Sequence, residues 1–190
     1  MNKTLLSTTL AAFAIASGML AYSPMARAVQ NSSPDGTITF NGLVVANTCT
    51  VNANGSGSTG GTVTLPTVYT SSLAAAGATA GDTAFNISVS GCDKNLSNVT
   101  TYWSGTNVNT NGRLTNLASS NNVDVQLLNS GDTSSDVINL NGAQGSQNSK
   151  TVNLDSTGAA TLNYYARYYA TAAATSGKVN TSVSFTMVYQ

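Results

Sequence analysis

An all-β fold, an antiparallel sandwich of short strands, is what the sequence predicts, and three observations lead to it. Apolar and polar residues alternate with a period of two in most segments after residue 36, which is typical of strands with one buried face. Runs of Gly, Asn, Asp and Ser, such as Asn141-Gly142, punctuate these segments and indicate turns. The chain has 190 residues without an internal repeat or linker, so the strands are expected to form a single domain.

Seven segments carry the alternation that defines the predicted strands. The first includes Ile38, Phe40 and Val44, and the others cover residues 85–89, 123–127, 137–140, 152–154, 162–169 and 179–189. Residues 54–61 are rich in Gly and Ser and are predicted to form a loop. The Ala-rich residues 73–80 are predicted to form a short helical turn.

Residues 1–28 are predicted to form a signal peptide. Lys3 provides a short positive segment, residues 5–20 form an uncharged run rich in Leu and Ala, and Pro24 interrupts that run. Residues 26–28 supply the small-x-small pattern that signal peptidase recognises. A membrane-spanning helix is the alternative, but Ser and Thr dilute the run and it ends in a cleavage-like site. The mature chain, residues 29–190, is therefore expected to be exported.

The charged residues are few and exclude several classes of function. Only 7% of the residues are charged, there is no His, and the seven acidic residues are all Asp. Hydrolases with an imidazole base and His-ligated zinc sites are thereby excluded. Removal of Lys3 and Arg27 with the signal peptide leaves a net charge of about −2 and no basic cluster, which argues against nucleic-acid binding. No cofactor or metal site is expected, because no residues have ligand spacing.

Cys49 and Cys92 are the two cysteines of the chain. In an exported protein they are expected to form one disulfide, and closing a loop of this length would stabilise the fold by about 4 kcal/mol. A pair of free reactive thiols is the alternative.

Two alternating segments stand at opposite ends of the mature chain. The face of the first consists of Gly36, Ile38, Phe40, Gly42, Val44 and Ala46. Gly42 interrupts this apolar face, and a Gly inside a strand usually marks the close approach of another backbone. The second segment extends from Gly177 to Gln190 and is also expected to be the last strand of the sandwich. Its shared face consists of Val179, Thr181, Val183, Phe185, Met187 and Tyr189.

These segments belong to a series of motifs that covers nearly the whole mature chain. In order, the motifs are residues 36–44 ahead of Cys49, then 63–66, 85–92, 123–127, 162–170 and the terminal strand with Tyr189. In this order and at this spacing they resemble the motifs of a type 1 fimbrial major-subunit pilin of the chaperone–usher family.

The resemblance implies an incomplete immunoglobulin-like antiparallel sandwich that is completed by a donor strand from the neighbouring subunit. Residues of about 31–47 would be the donor strand, with Ile38, Phe40 and Val44 filling pockets and Gly42 passing a shallow one. Residues 48–190 would form the pilin body, which presents the hydrophobic acceptor groove. One edge of that groove would be lined by Gly177, Val179, Val183, Phe185, Met187 and Tyr189.

The resemblance also implies the partners and the location of the protein. A periplasmic chaperone would pair with the last strand, an outer-membrane usher would take part in assembly, and copies of the subunit would polymerise head to tail. The product would be an extracellular adhesive rod on the bacterial surface.

Two alternatives within the same system stay open. A minor or adaptor pilin would share most of these motifs. A carbohydrate-binding adhesin-type module is the other alternative, because Trp103 and Tyr102 could stack on a sugar ring. A partly buried core position is favoured for this aromatic pair.

No catalytic residues are predicted, and the protein is not expected to be an enzyme. Most of the Asp residues stand beside Gly, Ser or Asn in turn-like contexts, and the close pair Asp132 and Asp136 falls in a Ser/Thr/Gly-rich loop. A glycosidase would require two carboxylates in distinct environments. Arg167 is expected to have a structural role, bonding a carbonyl or stacking on Tyr.

Overall fold

Two antiparallel sheets form the fold in the computed structural model, which describes Thr39, residues 49–129 and residues 136–190. The strands are β1 (Thr50–Ala53), β2 (Thr79–Ser90), β3 (Asn98–Ser104), β4 (Leu114–Thr115), β5 (Val123–Asn129), β6 (Val152–Asn153), β7 (Ala160–Ala170) and β8 (Ser184–Tyr189). A 3-10 helix covers Thr70–Leu73. The five-stranded sheet has the order β1-β2-β7-β5-β4 and the three-stranded sheet the order β6-β3-β8.

The hydrophobic core lies where the inner faces of the strands meet. In β3, burial alternates strictly, so that Val99, Thr101 and Trp103 are buried while their neighbours are half-buried. Strand β7 contributes Leu162 and Tyr164 to the same cluster. Trp103 is the largest side chain that is almost fully buried, with 2% of its surface exposed. The alternation of side chains along these strands thus places one face of each in the core.

Strand β5 is buried on both faces, although it lies in a sheet of a sandwich. Val123, Val125 and Leu127 pack into the hydrophobic clusters, and Asp124 and Gln126 are paired on the opposite face. Asp124 Oδ2 accepts hydrogen bonds from Arg113 Nε at 3.1 Å and from Asn109 Nδ2 at 2.9 Å. Pairing of this kind is what allows a charged side chain to be buried.

The disulfide between Cys49 and Cys92 is present, with the Cα atoms 4.2 Å apart. It joins the residue before β1 to the segment just after β2, and these two strands pair antiparallel. The two cysteines are 43 positions apart in the sequence. The expectation of a disulfide is therefore confirmed, and the alternative of free thiols is wrong.

Several predicted elements are confirmed and others require correction. The predicted strands at 85–89, 123–127 and 162–169 lie within β2, β5 and β7, and 152–154 overlaps β6. Residues 54–61 form a loop, as predicted, with turns and bends over residues 54–59. Residues 137–140 are not a strand. Val137 makes only an isolated bridge to Leu128, and Gly142 N–H donates to Asn139 O at 3.0 Å, which turns the chain.

The helical turn was predicted too late in the sequence. The 3-10 helix ends at Leu73, and β2 begins at Thr79. Strand β3 was not predicted at all, because the polar Thr101 stands between Val99 and Trp103 on the core face and obscures the alternation. In the part of the chain that the structure describes, no helix has the length and apolarity required to cross a membrane.

Candidate functional site

A groove with a volume of about 640 Å³ opens into the core beside the segment that leads into β8. It is lined by residues 59–65, which precede the 3-10 helix, and by residues 179–183 together with Phe185. Its deeper lining consists of core side chains, among them Ile87, Trp103 and Leu127. A groove of this composition suits an extended apolar segment.

Strand β8 forms one edge of the three-stranded sheet, and its hydrogen bonds show which groups face outward. Gln190 N–H donates to Asn98 O and Asn98 N–H donates to Gln190 O, both at 3.0 Å. In an antiparallel ladder such pairs alternate with pairs that are not hydrogen-bonded. The backbone N–H and C=O groups of the even-numbered residues of β8 therefore point toward β3. The N–H and C=O groups of Phe185, Met187 and Tyr189 point to the opposite edge, where no strand among the described residues pairs with them.

Residues 178–183, the segment that precedes β8, continue the same edge of the sheet. Lys178 O accepts from Ser119 Oγ at 2.7 Å, Asn180 O from Leu117 N–H at 2.8 Å, and Ser182 O from Asn107 Nδ2 at 3.1 Å. Side chains and loop backbone thus replace a ladder, which explains why β8 begins at Ser184 rather than at the predicted Val179. The odd-numbered residues between them form no backbone hydrogen bond with other described residues.

Burial along this segment alternates as the sequence predicts but is incomplete. Asn180, Ser182, Ser184 and Thr186 are exposed, whereas the odd-numbered residues from Val179 to Tyr189 are only half-buried. The core residues of the neighbouring strand β3 are at least 98% buried by comparison. Partial burial raises the pKa of Tyr189. The described residues therefore cover the apolar face of this segment only in part.

The residues predicted to line the groove are not all placed in it. Val179, Val183 and Phe185 line the groove, whereas Met187 and Tyr189 lie outside it and pack against the core. Gly177 contacts Ser119, and a Cβ at position 177 would lie 2.6 Å from Ser119 Oγ. A glycine is therefore needed there for close packing, since Ser119 Oγ is held by Lys178 O.

Some predicted site residues lie outside the described part of the chain. These are the signal peptide, residues 1–28, the donor-strand residues Ile38, Phe40, Gly42 and Val44, and Asp132. Asp136 is described, and its Oδ1 lies 3.2 Å from Lys150 Nζ in an ion pair.

Trp103 is buried in an aromatic cluster and does not form a sugar-binding surface. Its ring centroid lies 5.1 Å from that of Tyr164, 6.1 Å from that of Phe85 and 6.0 Å from that of Phe185. Trp103 Nε1 and Thr181 Oγ1, both from residues that line the groove, are buried and have no hydrogen-bond partner among the described residues. Stacking of Trp103 on a sugar is therefore excluded by its burial.

Arg167 of β7 and Arg113, the residue before β4, have structural partners. Arg167 Nε donates to Gln126 Oε1 at 2.9 Å, and Arg167 Nη1 lies 3.5 Å from Asp82 Oδ1. The cation–π contact with a tyrosine is made by a different residue, Arg113, whose Cζ lies 3.9 Å from the Tyr169 ring centroid. Arg113 was missed, because its partners are far from it in the sequence.

Comparisons with known proteins agree with this architecture. Residues 38–190 match the family described as Fimbrial protein. The chain is 44% identical over 176 residues to the major fimbrial subunit SMF-1 of Stenotrophomonas maltophilia (strain K279a), covering 90% of this chain and 99% of that protein. It is 35% identical over 187 residues to the type-1 fimbrial protein, A chain, of Escherichia coli (strain K12), covering 94% and 97% of the two chains.

A solved structure of a chaperone–usher pilus shares the fold. Its TM-score is 0.57 at 21% sequence identity, with 85% of this chain and 100% of that chain covered. The chain therefore belongs to the fimbrial protein family, with the immunoglobulin-like sandwich of chaperone–usher pilins. It is a structural pilin of an extracellular bacterial fimbria.

Proposed function

We propose that this pilin polymerises head to tail by donor-strand exchange, in which residues of about 31–47 of one subunit fill the groove of the next. The observation that carries the proposal is the open edge from Val179 to Tyr189 beside the groove. There a half-buried apolar face and a row of backbone groups directed away from β3 occur together. An added strand would cover the face and pair with the backbone groups.

The energetics favour a joint that dissociates very slowly. Each buried Ile, Phe or Val of the donor segment contributes roughly 1.5–3 kcal/mol, and the new ladder adds to this. Trp103 Nε1 and Thr181 Oγ1 are buried polar atoms without a described partner, so the lining of the groove is also unsatisfied in part. A contact between two different surfaces that does not close into a ring produces a filament.

The remaining parts of the proposal concern export and assembly. Residues 1–28 are the signal peptide, residues of about 31–47 the donor strand and residues 48–190 the body. A periplasmic chaperone pairs with the edge that ends at Tyr189, and an outer-membrane usher assembles the fibre. The subunit forms the rod rather than an adaptor, a role supported by its 44% identity to a major fimbrial subunit, and it has no catalytic role.

The decisive test compares two substitutions on opposite faces of the donor segment. Phe40→Asp places a charge on the face that fills the groove, whereas Thr39→Asp places the same charge on the other face of a strand. Thr39 is exposed in the structure. We expect Phe40→Asp to abolish fibres without affecting export, and Thr39→Asp to retain them, as measured by electron microscopy and immunoblots of surface extracts. Normal fibres from Phe40→Asp would refute donor-strand exchange.

A further inference from the structure

Two large hydrophobic side chains are exposed in the described part of the chain, and both lie at the same end of the groove. Tyr69 is 84% exposed and Leu117 is 58% exposed. Tyr69 precedes the 3-10 helix, and Leu117 belongs to the loop between β4 and β5. Leu117 N–H donates to Asn180 O at 2.8 Å, which places Leu117 beside the start of the open edge.

A second depression, about 540 Å³ in volume, continues from the groove at this end. The groove and the depression share Tyr168, Val179 and Asn180 in their linings. Tyr69 lines the depression, and so does Ala118, the residue after Leu117. The exposed hydrophobic residues therefore border a surface that is continuous with the proposed subunit joint.

The direction of an inserted donor strand decides what meets this surface. Every strand pair of the two sheets is antiparallel, so a strand added beside β8 is expected to be antiparallel to it. The C-terminal end of the donor segment, at Asn47, then lies near Val179. Cys49 follows Asn47 by two positions in the sequence. The body of the subunit that donates its strand must therefore begin beside Tyr69 and Leu117 of the subunit that receives the strand.

The surface of the donating body at that point can also be named. Cys49 is bonded to Cys92, and Cys92 N–H donates to Gly158 O at 3.0 Å. The loops 92–97 and 155–159 therefore flank the point where the donor segment enters its body.

We propose that Tyr69 and Leu117 form a contact between consecutive bodies of the fibre, against loops 92–97 and 155–159 of the subunit that donates its strand. The proposal rests on donor-strand exchange and adds a second contact, which orients the two bodies. Both exposed side chains lie beside the end of the groove where the donating body begins, and this position supports the contact.

The contact is too small to hold two subunits together alone. Two side chains cover far less than the roughly 1,000 Å² that a stable interface requires. The donor strand, however, keeps the two bodies adjacent, and at the resulting effective concentration a weak contact is occupied. Bodies joined without such a contact would move relative to each other. The contact is therefore expected to control the stiffness and regularity of the fibre rather than its formation.

The first experiment is performed on the full chain and separates these roles. The double variant Tyr69→Ser/Leu117→Ser is expected to export and polymerise normally. Its fibres should lose regular subunit stacking in electron micrographs, with a persistence length reduced by about twofold or more. Tyr69→Phe keeps the apolar ring and is the matched control, with fibres like the wild type. Double-variant fibres with wild-type stiffness would overturn the proposal, and so would a folded, exported double variant that forms no fibres.

A photo-crosslinking experiment identifies the partner surface independently of fibre shape. p-Benzoylphenylalanine at position 69 is expected to crosslink, within assembled fibres, to residues 92–97 or 155–159 of a second subunit, detected by mass spectrometry. The same probe in the Phe40→Asp chain should give no crosslink between subunits. Fibres in which the probe crosslinks to other regions or to no subunit would overturn the proposal while leaving donor-strand exchange intact. Fibre formation by Phe40→Asp would instead refute donor-strand exchange itself.

Discussion

Gln147 occupies the position of a neighbouring strand beside Trp103. Gln147 Oε1 accepts from the backbone N–H of Trp103 at 2.8 Å, and Gln147 Nε2 donates to the backbone carbonyl of Trp103 at 2.7 Å. The side-chain amide thus makes the two hydrogen bonds that a paired strand residue would make, on the edge of β3 opposite β8. Gln147 is 2% exposed, and its Nε2 also donates to Leu140 O at 3.0 Å. One side chain therefore continues the hydrogen bonding along this edge of β3, beyond the residues that pair with the two-residue strand β6.

Replacing Gln147 with Leu should lower the free energy of unfolding by about 2–3 kcal/mol. The substitution leaves the N–H and C=O of Trp103 and the carbonyl of Leu140 buried without partners. Gln144→Leu, at an exposed position of the same loop, is the matched control and should change the stability by less than about 0.5 kcal/mol. Urea unfolding of the Phe40→Asp chain, which cannot assemble, gives both values when excess peptide of residues 31–47 is added to cover the groove and prevent aggregation. Equal losses in the two variants would contradict a specific role of the amide.

Arg167→Ala should lower the free energy of unfolding by about 1–2 kcal/mol without changing fibre formation. Arg167 of β7 is half-buried and donates to Gln126 Oε1 of β5. Its loss therefore leaves the side-chain oxygen of Gln126 unpaired. Asp82→Ala tests the ion pair separately. The Asp82 side chain is 40% exposed and the pair is 3.5 Å long, so removing Asp82 should cost no more than about 1 kcal/mol. A melting temperature of Arg167→Ala equal to that of the wild type would show that the structural role is wrong.

Alkaline pH should destabilise the subunit through its buried tyrosines. Burial raises the pKa of Tyr164, although hydrogen bonds with Ser149 and Thr101 act in the opposite direction, and burial also raises the pKa of Tyr168. The unfolded chain releases tyrosine protons near pH 10, whereas the folded chain retains them to higher pH. The contribution of these tyrosines to the free energy of unfolding should therefore be constant below about pH 10 and be lost as the pH rises through the folded pKa values.

Tyr164→Phe removes one of these groups and should make the alkaline decline shallower. Its stability at neutral pH should be lower than that of the wild type, because the hydrogen bond from Tyr164 Oη to Thr101 Oγ1, 2.9 Å long, is lost. Tyr69→Phe, at an exposed site, is the control and should keep the wild-type pH dependence. Urea unfolding at several pH values from 8 to 11 provides the measurement. An unchanged slope in Tyr164→Phe would show that Tyr164 does not contribute.

The strands whose core faces are uninterrupted could be predicted from the sequence, because an apolar residue at every second position reflects one face that packs into the core. This holds for β2, β5, β7 and the terminal strand. Strand β3 could not be found this way, since Thr101 is polar yet buried, and it is buried because Tyr164 Oη donates to its Oγ1. Only the fold brings these two residues together.

The residues of the candidate site also divide into those that the sequence predicts and those that only the fold reveals. The alternation of residues 179–189 and the open edge follow from local pattern and from the family resemblance. Gln147 and the pair Tyr69 and Leu117 carry no periodic signal, because a glutamine in a polar loop and single apolar residues in turns are common. Their roles depend on contacts between segments that are distant in sequence. The donor-strand assignment of Ile38, Phe40, Gly42 and Val44 stays a prediction.

Tyr189→Ala should reduce the amount of subunit in the periplasm if the chaperone pairs with the open edge of β8. The substitution removes a half-buried ring on that edge but leaves Gln190, whose N–H and C=O exchange hydrogen bonds with Asn98. It therefore tests the edge without removing the end of the β3–β8 ladder, as a deletion of both residues would. Val188→Ala is the matched control, because the backbone of Val188 faces β3 and its side chain points to the other side of the sheet.

Two measurements on Tyr189→Ala separate chaperone binding from loss of stability. Immunoblots of periplasmic extracts report the yield, and co-purification with the chaperone reports the complex. We expect both to fall for Tyr189→Ala and to stay near wild type for Val188→Ala. A lower yield with undiminished chaperone binding would assign Tyr189 to core packing alone, since its ring also contacts the hydrophobic cluster. An undiminished yield would remove Tyr189 from the chaperone site, because a subunit with an uncovered groove edge and no chaperone is expected to aggregate.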